Sequence, residues 1–171
     1  MNTTRQILSL YSTSKNTASR IIKLLTSLGL VFFISACATS VPLETSDQDA
    51  KMKRFDRAQD GVVVYVVQSG GILTQHRINF QVIIDSKIVG IMSGNTYSVH
   101  KLPAGAHTIL VSSPENQDLT EFSGKNGELI FIGVGSHGGW TQMRVSNLRL
   151  LDEVEGKKAV LASKLSRALG K

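Results

Sequence analysis

The chain has 171 residues, 42% hydrophobic and 19% charged, with a formal net charge of +6. Its one cysteine, Cys37, excludes an internal disulfide. Four basic residues, Arg5, Lys15, Arg20 and Lys23, lie within 1–36, where there is no acidic residue; the remainder carries 15 basic against 13 acidic residues, a net +2, so the high overall charge is no argument for a nucleic-acid partner.

Residues 24–34, LLTSLGLVFFI, are nearly all apolar and are followed by the small residues Ser35 and Ala36. A basic start, a short apolar run and a small-residue exit read as a secretory signal over 1–36. A permanent membrane span takes about 20 apolar residues, more than this run supplies. Ile34-Ser35-Ala36-Cys37 resembles the bacterial lipobox, in which an aliphatic and two small residues precede a cysteine. The resemblance implies that the signal peptidase recognises Ile34, Ser35 and Ala36 and cuts before Cys37. It also implies that the Cys37 thiol receives a diacylglycerol. A thiol is the side chain best suited to such a thioether. Two or more acyl chains hold a protein stably on a membrane. Ala38, rather than aspartate, stands at the second position, which by the same resemblance implies the outer membrane with the domain facing the periplasm.

Beyond the signal, 37–48 reads as the lipidated cysteine and a flexible polar tether, and 49–171 as a single β-rich domain. Ser46 and Asp49 have capping-box spacing before a short helix, with Met52 and Phe55 on one side. Residues 62–67, VVVYVV, suit a strand covered on both faces. In 77–84, Ile78, Phe80, Val82 and Ile84 alternate with Arg77, Asn79 and Gln81, the pattern of a half-buried strand. Asp85-Ser86 is a tight turn into KIVGIM. NTYSVH places Tyr97 and Val99 on one face, and Pro103 and Gly105 mark a turn before HTILVSS. Leu119–Phe122 and Glu128–Val134 suit two more strands around GKNG. GSHGG reads as a glycine-rich loop. The last strand, WTQMRVSNLRLL, changes phase between Val145 and Leu148, which predicts a bulge near Ser146-Asn147. From Asp152 the pattern becomes helical through Val154, Leu161, Leu165 and Ala168 or Leu169, with Asp152 and Glu155 as a capping box, Gly156 weakening the first turn and Gly170 as the stop. The expected fold is an antiparallel β-sandwich or open barrel of about seven or eight strands, with a short N-terminal helix and a C-terminal α-helix.

Val62–Val67, Ile83–Gly90, Gly94–Tyr97, Leu102–Ile109 and Glu155–Lys157 resemble the strand, hairpin, turn and helix motifs of a small bacterial lipoprotein domain family without assigned activity. The hairpin and the PAGAH turn also resemble PEGA-type β-modules, with Ser86 in place of the hairpin glycine and Ala104 inside the turn.

Of the four histidines, His76, His100, His107 and His137, none has ligand spacing to another, so no metal or cofactor is expected. There is no GxSxG, and Ser136 beside His137 would diverge from it. The expected role is a non-catalytic envelope binding or structural module, with a membrane partner through the lipid anchor and an envelope protein or glycan as candidate ligand. The alternative is a small-ligand or glycan binder using the 134–140 loop and the connection at Ser69–Leu73, with His137 and Trp140 as contacts. A hydrolase site assembled in space is the third reading.

Overall fold

A computed structural model describes residues 41–68, 79–138 and 143–169. Two helices and nine strands are present among them. Helix α1 is Ser46–Met52 and α2 is Glu153–Leu161. The strands are β1 Val62–Gln68, β2 Phe80–Ile84, β3 Lys87–Met92, β4 Thr96–Leu102, β5 Gly105–Ser112, β6 Gln117–Gly124, β7 Leu129–Gly138, β8 Met143–Leu151 and β9 Lys164–Leu165.

They form two open sheets, ordered β8-β7-β1-β4-β9 and β3-β2-β5-β6. The expected antiparallel pairing holds for most neighbours, but β1 runs parallel to β7, and β4 parallel to β9. Every residue of β1 is buried. Val62, Val64 and Val66 face the second sheet with Phe80, Val82, Ile84, Ile109, Val111 and Phe122. Val63, Tyr65 and Val67 face the other way, into a cluster with Tyr97, Phe131, Val160 and Leu165 that Met52 and Phe55 help to cover. Continuous β-branched and aromatic sequence is thus required by a strand with apolar neighbours on both sides. The architecture is three layers: helices, five-stranded sheet, four-stranded sheet.

The β2 alternation is as expected: Phe80, Val82 and Ile84 are buried and Gln81 is exposed. Asp85 and Ser86 both have positive φ, 48° and 65°, the backbone of a two-residue hairpin turn. The bulge is present too. Gly133 pairs with Arg149 and Gly135 with Ser146, so β8 has one residue more than β7 across this step. Asn147 takes it up with φ 52°.

Four expectations are corrected. Residues 41–48 do not form a free tether. Val41 is buried, Leu43 bridges Ser166, and the Glu44 N–H donates to the Leu165 carbonyl at 3.0 Å. The α1 cap is Thr45 rather than Ser46, with the Gln48 N–H donating to Thr45 Oγ1, and Asp49 is used elsewhere. The segment GSHGG is largely strand, because β7 continues to Gly138 against β8. Finally, α2 stops at Leu161, not near Gly170. Its cap is the expected Asp152, whose Oδ1 accepts from the Glu155 N–H at 2.8 Å. Its buried side is not the apolar stripe: Gly156, Ala159 and Val160 are buried, whereas Val154 and Leu161 are 80% and 58% exposed. A Cβ on Gly156 would lie 2.2 Å from Phe131 Cγ, so small residues let the helix rest directly on the sheet.

After α2, tertiary partners override helix propensity. The Lys164 N–H donates to the Asn95 carbonyl, the Leu165 N–H to Asp49 Oδ1 and the Ser166 N–H to the Tyr97 carbonyl. Leu165 thereby enters the helix-side cluster from a strand.

Candidate functional site

Cys37, Ile34, Ser35, Ala36, His76, Trp140 and the Ser69–Leu73 connection lie outside the described residues. His137 is exposed on β7, opposite Arg144. Its neighbour Ser136 accepts a hydrogen bond from Gln68 Nε2 at 3.0 Å. Successive strand residues face opposite ways, so the two do not form a nucleophile–base pair.

The other two described histidines have different surroundings. His100 lies on β4 opposite Val64, with Nε2 2.9 Å from Ser98 Oγ. Burial pushes its pKa down to about 4, so it is neutral at pH 7. His107 joins two turns. Its Nδ1 donates to Asp85 Oδ2 at 2.7 Å and its Nε2 to the Pro103 carbonyl at 2.9 Å. Asp85 Oδ1 accepts from the Thr108 N–H. Partial burial opposes charge on His107, but two acceptors, one of them a carboxylate, outweigh it and raise the pKa. The Thr108 N–H and His107 hold the Asp85 carboxyl below its usual range. A depression of about 480 Å³ adjoins the pair, lined by residues including Glu121, Phe122 and Ser123. A general base needs an open lone pair, and both ring nitrogens of His107 are committed to backbone and carboxylate acceptors.

A second polar cluster lies beneath α1. Asp49 Oδ1 accepts from the Tyr97 hydroxyl and the Leu165 N–H, both at 2.9 Å, while Oδ2 accepts from Lys53 Nζ at 2.7 Å. Lys53 also donates to the Ser163 carbonyl. Partial burial works to raise the Asp49 pKa, but Lys53, Tyr97 and the Leu165 N–H together bring it below the usual carboxylate value. Burial raises Tyr97 strongly, helped by Asp49, and raises Tyr65 to about 12. Each group binds an element of the fold: α1, β4, or the chain leading into β9. Among the described residues no group of three or more histidine, cysteine, aspartate or glutamate side chains could hold a metal ion.

Two surfaces escaped the sequence reading. The first is the outer face of the four-stranded sheet, which no described element covers. Ile88 pairs with Ile83, Ile83 with Leu110 and Leu110 with Leu119, an apolar ladder across all four strands. Ile88 and Leu119, at its ends, are 53% and 55% exposed. Only the strand register reveals this ladder, because its four members come from four separate segments. The second is a cavity of about 360 Å³ where the described chain begins, lined by Val41, Leu43, Thr96, Ala162 and Lys164 among others.

No protein-family model matches the chain, and neither does a curated protein or a solved structure. The functional reading therefore rests on the residues themselves.

Proposed function

We propose that this is a lipid-anchored protein of the bacterial envelope, acylated at Cys37, that acts as a non-catalytic binding or structural module on the periplasmic side of the outer membrane. The observation that carries the reading is the position of Cys37: the sole cysteine, directly after Ile34-Ser35-Ala36, at the end of an apolar run with a basic start. The bonding of His107 and Asp49 supports the non-catalytic part, because their polar atoms are committed to turns and helix ends. The exposed ladder from Ile88 to Leu119 supports binding, since a contiguous apolar patch is a common mark of an interaction site.

The test is expression of the full chain in a Gram-negative host supplied with an alkyne fatty acid, followed by intact-mass analysis of the membrane fraction. The mature chain should start at Cys37 and carry the label. Cys37→Ala should accumulate as unlabelled precursor. A Cys37→Ala protein that is processed and fractionates normally would overturn the proposal.

A further inference from the structure

We propose that the end of the domain around Val41 and the α2–β9 connection lies against the lipid headgroups of the membrane that carries the protein. The inference rests on acylation at Cys37. Three residues, 38–40, separate Cys37 from Val41. An extended chain advances at most about 3.6 Å per residue, so four steps bring Val41 within roughly 14 Å of the acylated cysteine. The polar zone of one leaflet is itself about 5–7 Å deep, half the difference between the whole bilayer and its hydrocarbon core. With an anchor at the boundary of that zone, any gap between bilayer and domain is held to less than about 9 Å, no more than the width of one helix.

The structure fixes which surface is brought there. Val41 is buried, so the domain cannot swing about the segment that follows this residue. The Arg167 N–H donates to the Pro42 carbonyl at 2.8 Å, and the Glu44 N–H to Leu165 at 3.0 Å. These bonds hold the first described residues against the last strand. Ala162 and Lys164 share the cavity with Val41 and Leu43.

The chemistry of this end suits a bilayer interface. Leu43 is 40% exposed and Leu161, next to Ala162, is 58% exposed. Lys164 and Arg167 are exposed beside them. Apolar side chains flanked by long basic ones fit the boundary between acyl chains and anionic headgroups, where the charged tips reach outward and the stems stay apolar. Glu44, on the same segment, is only half-buried and tempers the positive field without removing it.

The far side supplies the control. Glu121 is exposed on β6, the edge strand of the other sheet. It pairs with Thr108, near the turn that follows Leu102, whereas the cavity lies at the Thr96 end of β4. Within its own sheet β6 lies three inter-strand spacings, about 14 Å, from β3, the strand that the C-terminal segment reaches through the bridge between Gly90 and Ala168.

The experiment uses the acylated full-length product, in which the Cys37 thiol is blocked by its lipid. Single Ala162→Cys, Lys164→Cys and Glu121→Cys variants are labelled with an environment-sensitive fluorophore. They are then reconstituted into vesicles of phosphatidylethanolamine and phosphatidylglycerol containing a headgroup nitroxide lipid, and intact mass establishes acylation in each sample. Labels at 162 and 164 should be quenched at least threefold more than the label at 121. Equal quenching at the three positions, or stronger quenching at 121, in protein carrying acyl mass overturns the membrane-facing surface while leaving lipidation intact. Absence of acyl mass overturns lipidation and this inference with it.

Discussion

His107 shows how the partners of a single side chain set the charge it carries. Its two nitrogens meet a carboxylate and a carbonyl, both acceptors, so the doubly protonated ring fits best. A raised folded pKa means that the clamp stabilises fully below the ordinary histidine value near 6.5 and is lost as pH rises through the folded value. The melting difference between wild type and His107→Gln should therefore be larger at pH 6 than at pH 9. His100 titrates in the opposite sense, but equally in both proteins, so the difference isolates His107. The same difference at both pH values would show that the ring does not work as a cation. Gly156 makes the complementary point. Alanine would gain about 1 kcal/mol of helix propensity, yet its Cβ would meet Phe131 Cγ, Cβ and Cδ1 at 2.2–2.6 Å. Those atoms form the root of a buried ring and cannot swing aside, so α2 must move instead. Overpacking wins, and Gly156→Ala should cost roughly 1–2 kcal/mol net in urea titration. A more stable variant would mean that α2 does not sit tightly on β7.

At the level of elements, local patterns were legible wherever one strand decided its own burial. The β2 alternation is the clearest instance. Phe80 is fully buried and Gln81 exposed, so Phe80→Ala should lose about 3–5 kcal/mol and Gln81→Ala no more than about 0.5 kcal/mol. Comparable urea midpoints for the two variants would put the strand in the wrong register. The β8 bulge was legible for the same reason, since a phase slip in one segment records it. The candidate site was less so. Ser136 and His137 diverge as adjacent strand residues must, but the second partners of His107 and Asp49 come from distant segments, and no local pattern announces Asp85 or Leu165. Elements also failed to declare themselves where partners elsewhere set their limits. Glycines 135 and 138 read as a loop, yet β8 supplies a ladder that keeps them extended. Leu165 fits a helical period, yet β4 offers an open edge and Asp49 an acceptor, and the helix ends four residues earlier, at Leu161.

Across the whole molecule, what keeps two open sheets together at their margins is a set of substitutes for strand pairing. On the β6–β8 side, Asn116 donates to the Val145 carbonyl and accepts from its N–H, both at 2.9 Å, doing with a side chain what a neighbouring strand would do with its backbone. Asp118 takes the Leu148 N–H in the same region. On the other side the C-terminal segment fulfils this role. It pairs with β4 through Leu165, with the first described residues through Ser166 and Arg167, and with β3 through a bridge from Ala168 to Gly90. It also brings Leu165 into the helix-side cluster and gives Asp49 one of its donors. Truncation after Ala162 removes all of these while leaving α2 complete. Loss of a buried leucine alone costs about 2–5 kcal/mol, and a domain of this size has only about 5–15 kcal/mol in total. The truncated chain should therefore melt at least 10 °C lower or fail to fold, and its newly open β4 edge should make it self-associate. Circular dichroism melting and analytical ultracentrifugation read the two effects separately. A monomer with the melting point of the full chain would show that the sheets hold without this seam, and that the last nine residues do not belong to the core.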